Sequence, residues 1–510
     1  MIKNIYILFI ILIFASCEST NFDDPSTLTN TEAVEKIKYL GYVLTTSSIQ
    51  NTFNTTTSAS AGVHLSLLSD QTTNTNMANA WWNFADEPRL QLTNSSTYRG
   101  SISWTTFYSS FYQANLDATK ALDIIENKKQ RVYDKSGKDR TTDCLIAAYY
   151  AKGVSQGYLG VVFDRGIIVD DASISNKAFP NSYKELIANG IKLIDKALAI
   201  ADTAKTFNFD FLSGVTISQS NFIKLGNSIA ARILSSQARD KVEAAALGSA
   251  HWNRVLAYAN KGFTTDYTII TVTGGYYSQI LSNLLQRNSD GSGYLPPDIK
   301  IPYLADKTGQ TPNYYPATGI LPVISSNDTR FNKYFGYSTS FGIFMESRGR
   351  GLFTNYYRIR WYNAKNTLNI AGAINPYFLA EETRLLKAES KFWVGDYTGA
   401  AAELNNTTAA RKLAGGLPDV AATEDDLRKA LHYEYAIEID GAGGAIVPFT
   451  FMRRNDLLIG GTPTEYPVPQ LQLDLIGEKN YTFGGKANAG QLGIYGELGT
   501  ARDNGWKKSQ

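Results

Sequence analysis

Histidine and cysteine, the side chains that most often serve as bases, nucleophiles and metal ligands, are scarce in this sequence. The 510-residue chain has 3 His and 2 Cys. His64, His251 and His432 lie far apart, so they offer little for catalysis by imidazole or for a metal site. No HExxH, CxxC pair or Walker loop occurs either. This pattern favours a protein that holds a ligand without a cofactor, although an oxygen-ligand Ca²⁺ site would leave little sequence trace.

One segment does match a catalytic pattern. Residues 153–157 (Gly-Val-Ser-Gln-Gly) fit G-x-S-x-G, the nucleophile elbow of α/β-hydrolases. That elbow follows a strand, whereas apolar periodicity here predicts a helix beginning near Leu145. We therefore interpret the two glycines as positions of close helix packing. A glycosidase would need two carboxylates at a set separation, and the 47 Asp and Glu residues contain no motif that nominates or excludes a pair.

Aromatic residues are abundant, with 24 Phe, 31 Tyr and 7 Trp. Most should be core, but some occur as adjacent pairs in polar segments, where both rings cannot easily face inward. A sugar ring has an apolar C–H face and a rim of hydroxyls, so a flat aromatic beside polar side chains suits it. The predicted ligand-binding residues are Trp81, Trp82, Tyr276, Tyr277, Tyr314 and Tyr315.

The N-terminus predicts export. A positive start at Lys3 precedes an apolar run from Ile5 to Ala15, which is too short to cross a bilayer as a helix. The run ends in small residues before Cys17, which resembles a bacterial lipobox. We expect a signal peptide over residues 1–16, a lipid on Cys17 and a tether over residues 17–28. The alternative is an ordinary signal peptide with a chance cysteine.

Beyond the tether, apolar residues at three- and four-residue spacing predict a mainly helical domain over residues 29–510. Residues 380–405 are typical of a tetratricopeptide helix pair, with a glycine at the turn and alanines in the second helix. Residues 263–375 are instead rich in proline and aromatics, which indicates a loop-rich insertion that binds the ligand. The predicted parts are a helical scaffold over residues 29–262 and 376–440, the insertion over residues 263–375, and a C-terminal segment over residues 441–510.

Several segments resemble those of the SusD/RagB family. Residues 104–115 (W-x-x-x-Y-x-x-F-x-x-A-N) are similar to the family's W-x-x-x-Y-x-x-I-x-x-A-N helix, and residues 382–389 (E-x-x-L-L-x-A-E) look like its E-x-x-L-x-x-A-E-A helix. Tyr435 departs from the pattern, since the family has arginine there. The family's ligand-contacting residues carry no motif, so none is transferred. Further similar segments are residues 404–415, 434–438, 453–457 and 504–506.

The resemblance implies a helical, tetratricopeptide-like scaffold bearing an irregular ligand-binding half. It also implies a surface-exposed lipoprotein of the outer membrane that captures nutrient for a SusC-like TonB-dependent transporter, without enzyme activity. We expect an oligosaccharide ligand. The alternatives are peptide capture as in RagB-like relatives, a secreted glycosidase, and a structural repeat adaptor. The near balance of 49 Lys and Arg against 47 Asp and Glu argues against a nucleic-acid partner.

Overall fold

The computed structural model describes residues 30–75, 80–170, 179–287, 289, 293–315, 320–340, 354–362, 370–444 and 446–508. Helices dominate this part of the chain. In order they are α1 Asn30–Thr56, α2 Ala59–Leu68, α3 Trp82–Ala85, α4 Ser101–Leu122, α5 Thr141–Val162, α6 Tyr183–Thr203, α7 Gln219–Ser235, α8 Lys241–Ala246, α9 Gly248–Asn260, α10 Gln279–Leu284, α11 Lys300–Ala305, α12 Phe331–Tyr334, α13 Ala380–Trp393, α14 Tyr397–Asn405, α15 Ala410–Leu413, α16 Glu424–Ile437, α17 Ile446–Arg454 and α18 Gln470–Ile476.

The strands are short and pair two at a time in antiparallel ribbons. The pairs are β1 with β10, β2 with β3, β4 with β5, β6 with β9, and β7 with β8. Their bounds are β1 Leu92–Thr93, β2 Arg165–Gly166, β3 Asn181–Ser182, β4 Phe209–Leu212, β5 Val215–Ile217, β6 Tyr267–Ile270, β7 Phe335–Tyr337, β8 Tyr356–Arg358, β9 Ile374–Phe378 and β10 Thr482–Phe483.

The helices form because their apolar residues recur on one face. In α6, Tyr183, Ile187, Ile191 and Ile194 are fully buried and form the side that packs on α5. Ser182 begins this helix with a capping box, in which its side chain and that of the third helical residue satisfy each other's backbone amides. The pairing of α13 with α14 around a left-handed glycine at 395 is the predicted tetratricopeptide-type pair.

The G-x-S-x-G segment lies inside α5, as predicted. A Cβ on Gly153 would lie 2.7 Å from the carbonyl oxygen of Gly190 on α6, so the glycine allows the two backbones to approach closely. Ser155 is fully buried, with its Oγ 3.1 Å from Oγ1 of Thr52. This serine is therefore a core residue and has no access to a substrate. Cys144, on the same helix, is buried too.

The segments that resemble the SusD/RagB family carry buried ion pairs. Glu382 accepts from Arg232 at 2.6 Å, and Glu389 accepts from Arg454 at 2.6 Å. Tyr435, the departure from the family pattern, donates its hydroxyl to Glu389 at 3.1 Å. These residues join α7, α13, α16 and α17 through the core. They hold the scaffold together because a buried charge needs a partner.

Residues far apart in the sequence also meet in the core near the C-terminal segment. Nε1 of Trp506 donates to a carboxylate oxygen of Asp70 at 2.7 Å, and Arg89 pairs with the same carboxylate. The helices described between β6 and β9 are short, with six residues in α10, six in α11 and four in α12. The division of the domain into scaffold and insertion stays a prediction. Within the described part of the chain, no helix is both long and apolar enough to cross a membrane.

Candidate functional site

A surface cavity of about 690 Å³ opens where the N-termini of α2 and α4 meet the turn before α3. Two aromatic side chains border it, Trp81 and Tyr98, and it also contains one arginine, Arg99. The remaining lining is rich in hydroxyls, with apolar contributions from the start of α4 and from α18. These residues are Ala59, Ser60, Ser96, Ser101, Ile102, Ser103, Thr105, Thr106, Asn283 and Leu471.

Local structure fixes the aromatic wall. Asn83, in α3, donates from Nδ2 to the hydroxyl of Tyr98 at 2.8 Å. A Cβ on Gly100 would lie 2.5 Å from the ring of Tyr98, so the absence of a side chain there lets the ring fold back against the start of α4. Trp81 packs partly against the hydrophobic core and also lines the cavity. The same cavity is therefore lined by two packed aromatic rings and by a set of hydroxyl groups.

Ser103 lines the cavity in front of a histidine, an arrangement that invites comparison with a catalytic pair. Its Oγ lies 3.3 Å from Nε2 of His64. Burial lowers the pKa of His64 to about 3, which makes it a weak base. Nδ1 of the ring has no hydrogen-bond partner in the described structure, so no carboxylate orients it as in a catalytic triad. The pair is thus suited to packing against Phe84 and poorly suited to activating a nucleophile.

Of the first predicted aromatic pair, only one ring faces the cavity. Trp81 lines it, whereas Trp82 is 3% exposed and belongs to the buried side of α3. This division follows from the sequence argument that two adjacent rings do not share one face. Contact between Trp81 and a ligand stays a prediction.

The other predicted aromatics lie outside this cavity's described lining. Tyr276 is buried against Phe53, and its hydroxyl lies 3.0 Å from Oγ1 of Thr57. Tyr277 next to it is partly exposed. The structure does not bring these side chains to Trp81. Their role in binding a ligand also stays a prediction.

The third predicted pair splits in the same way as the first. Tyr314 is 62% exposed, whereas Tyr315 donates its hydroxyl to Asp298 and is mostly buried. Burial raises the pKa of the Asp298 carboxyl to about 8. The Tyr315 side chain is thus a partner within a buried polar cluster, and Tyr314 is the member that faces solvent.

Sequence reasoning missed most of the cavity. Tyr98, Arg99 and Ser101 follow one another around the start of α4, and Asn283 comes from a helix distant in the sequence. The signal that could have indicated them is the polar stretch before the predicted helix at Trp104, because helix starts carry free amides and hydroxyl caps. No local signal points to Asn283, since its position depends on the packing of α10 against α2.

Two further cavities share no described lining residue with this one. One of about 420 Å³ surrounds Arg140, whose guanidinium is already paired with Asp143 and Asp210. Another of about 570 Å³ lies beside α16, next to Tyr433. Neither contains a member of the predicted aromatic pairs in its described lining. No group of three or more His, Cys, Asp or Glu side chains in the described ranges is arranged to hold a metal ion.

The sequence matches no family model and no curated protein. Solved structures do match. A SusD superfamily protein from Bacteroides vulgatus has a TM-score of 0.56 at 12% identity, over 84% of this chain and 96% of its own. A SusD superfamily protein from Parabacteroides distasonis has a TM-score of 0.55 at 13% identity, over 84% and 89%. A SusD-like carbohydrate binding protein from Bacteroides vulgatus has a TM-score of 0.51 at 14% identity, over 95% of both chains.

These likenesses define the class of structure: the chain has the SusD-like fold, a mainly helical, tetratricopeptide-like scaffold. The predicted fold class is confirmed, and so is the resemblance at the level of the fold. Sequence identity this low establishes the fold, and what the chain binds has to be argued from its own side chains.

Proposed function

We propose that this protein is a cell-surface lipoprotein that binds an oligosaccharide and delivers it to a SusC-like TonB-dependent transporter in the outer membrane. The observation that carries the proposal is the cavity bordered by Trp81 and Tyr98 and lined with hydroxyl groups. A solved structure with the same fold is described as a SusD-like carbohydrate binding protein, which supports the same ligand class here.

The cavity provides both kinds of contact that a sugar needs. The indole of Trp81 and the ring of Tyr98 offer flat apolar surfaces for the C–H face of a pyranose. Serine and threonine hydroxyls and the amide of Asn283 can both donate to and accept from sugar hydroxyls. A volume of about 690 Å³ falls within the range of ligand sites, roughly 300–1,000 Å³. The cavity therefore has room for a short saccharide.

Binding to a panel of oligosaccharides, measured by calorimetry, tests the ligand. We expect Trp81→Ala to weaken binding at least about tenfold, because a few large aromatic contacts carry much of the energy of a binding site. Tyr495→Ala is the matched control, since Tyr495 is 46% exposed and lies outside the described lining of the cavity. Equal affinity in the Trp81 variant would remove the cavity from the proposal. Preferential binding of oligopeptides would replace the ligand class, and turnover of a glycan by the purified protein would contradict a purely binding role.

The anchor is proposed from the sequence, because residues 1–29 lie outside the described residues. Cys17 would carry the lipid after removal of the signal peptide. Metabolic labelling with radioactive palmitate should mark the wild-type protein and not Cys17→Ser, and the variant should leave the membrane fraction. Label that persists in Cys17→Ser would refute lipidation at this residue.

The transporter partnership has its own test. Purification of the tagged protein from its native membrane should yield a TonB-dependent barrel in the same complex. Deletion of this protein should then slow uptake of the glycan that calorimetry identifies. A barrel that co-purifies without any effect of the deletion on uptake would favour a structural adaptor.

A further inference from the structure

The cavity beside Trp81 has an unusual charge. Arg99 is the one charged side chain among the described residues that line it. This arginine is exposed, and it makes no ion pair or side-chain hydrogen bond with any described residue. Many arginines elsewhere in the fold, such as Arg232, are paired with carboxylates. The cavity therefore presents an unneutralised positive charge next to an aromatic wall.

The start of α4 adds to this positive potential. The helix has 22 residues, no acidic residue in its first turn and no side-chain cap at Gly100. The backbone amide of Ile102 donates to no acceptor in the described structure. The partial positive charge of a helix N-terminus favours an anion within the first turn. α2, whose first residues also line the cavity, likewise has no acidic residue in its first turn.

A buried hydroxyl points to a ligand independently of the helix ends. Ser101 is 5% exposed, yet it lines the cavity and its Oγ has no hydrogen-bond partner among the described residues. Because the residue lines the cavity and its hydroxyl is not used by the protein, a ligand there can accept its hydrogen bond. It lies between Arg99 and the free amide of Ile102 in the sequence. Three donors of different kinds thus face one space with no described carboxylate in its wall.

From this arrangement we infer that the cavity selects an acidic saccharide, with an anionic group bound by Arg99, the hydroxyl of Ser101 and the amide of Ile102. The inference rests on the proposed function and adds the ligand's charge. The group is a carboxylate, as in a uronic acid, or a sulfate ester. Both present the oxygens that a guanidinium and backbone amides bind by charge-assisted hydrogen bonds. The sugar's C–H face would then lie against Trp81.

The test compares saccharides in matched acidic and neutral pairs. A glycan array of acidic and neutral saccharides contains two matched sets. One set compares oligogalacturonides with their methyl esters, and the other compares sulfated galactan oligosaccharides with their desulfated forms. We expect at least one acidic class to bind about tenfold or more tightly than its neutral counterpart, with the preference shrinking as salt is raised. The set that shows the preference identifies the anionic group as carboxylate or sulfate.

Variants test whether Arg99 and Ser101 bind the anionic group of the saccharide. Arg99→Gln should abolish the preference for acidic members, and Ser101→Ala should reduce it, with thermal unfolding unchanged in both. Arg131→Gln is the control, because Arg131 is exposed, pairs with Asp139 and lies outside this cavity's described lining. The Arg131→Gln variant should prefer acidic over neutral saccharides as strongly as the wild type does.

The outcomes separate this inference from the proposed function. Neutral glycans that bind as tightly as acidic ones in a Trp81-dependent manner, with no effect of Arg99→Gln, overturn the inference and leave the proposed function standing. An array without any glycan binding overturns the proposed function and the inference together, and binding that does not depend on Trp81 removes this cavity from the proposed function and overturns the inference. An acidic preference that survives Arg99→Gln overturns the assignment of the anion to this site.

Discussion

Two arginines show how differently the scaffold and the cavity use the same side chain. Arg330 is fully buried and pairs with Asp328, Glu434 and Glu438 at 2.7 to 3.0 Å. Arg99 is exposed at the cavity and pairs with no described residue. A charge whose partners lie within the protein holds elements together, whereas a charge without one is available to a ligand. Whether an arginine is paired within the protein therefore distinguishes residues that stabilise the fold from residues that can bind a ligand.

Two tryptophans make the same point for packing. Trp104 is fully buried, stacks on Tyr466 with ring centroids 5.7 Å apart, and donates from Nε1 to Asn94 at 2.9 Å. Trp81 is only partly covered and lines the cavity. The ring of Trp104 is therefore surrounded by the protein. The ring of Trp81 also faces the cavity, where it can contact a ligand.

The largest expected effect comes from the two tryptophans. Trp104→Ala should lower the free energy of unfolding by at least about 4 kcal/mol, because it leaves a large cavity and an unsatisfied buried amide. Trp81→Ala should cost about 1 kcal/mol, since the ring is only partly buried against the core and also faces the cavity. Denaturation with urea measures both. Comparable losses would show that Trp81 is a core residue and would weaken its assignment to the ligand.

For the arginines we expect a somewhat smaller loss in the free energy of unfolding than for Trp104→Ala. Arg330→Met should lower the free energy of unfolding by about 3 to 5 kcal/mol, because it leaves the buried carboxylate of Asp328 without its cation and removes one of the cations beside Glu434 and Glu438. Arg131→Met, which removes an exposed pair with Asp139, should cost less than about 1 kcal/mol. A small loss in the Arg330 variant would mean that its carboxylates take up protons or water, and the pairs would then not be what fixes the scaffold.

The smallest expected effect comes from two buried histidines, one in each region. Burial lowers the pKa of His64 behind the cavity and of His432 in the scaffold to about 3 each. Their unfolded pKa is about 6.5, so the unfolded state binds more protons, and stability present above that value is lost as the pH falls toward 3. At pH 5.5 each should cost about 1.4 kcal/mol.

Urea unfolding at pH 7.5 and 5.5 checks this loss. His64→Gln and His432→Gln should each reduce the drop in stability between the two pH values, whatever they do to stability at pH 7.5. An unchanged drop in His64→Gln alone would show that water reaches the ring, and that the cavity floor is more open than the scaffold core.

Much of the scaffold could be predicted from local pattern. The stripe in α6 and the turn at Gly395 follow from residue spacing and from the conformational freedom of glycine. The partners of the charged motif residues could not be predicted in this way. Glu382 and Arg232 are 150 residues apart in the sequence, and their pairing depends on how α13 crosses α7.

The candidate site was predictable only in part. The sequence indicated that one ring of the pair at Trp81 should be exposed, because adjacent side chains point in different directions. It gave no means of choosing Trp81 over Trp82, or of separating Tyr276 in the core from Tyr314 at the surface. Exposure of a ring depends on which distant elements cover it, and local polarity does not report that.

The sequence by itself determined the class of fold and the absence of common catalytic motifs, because periodicity, glycine positions and residue types are local properties. Tertiary structure alone decided where the cavity lies and what lines it. Arg99, Trp81 and Asn283 come from separate turns and helices, and only the packing of α2, α4 and α10 brings them to one space. Long-range packing also decides which charges are already paired, and therefore which one is left for a ligand.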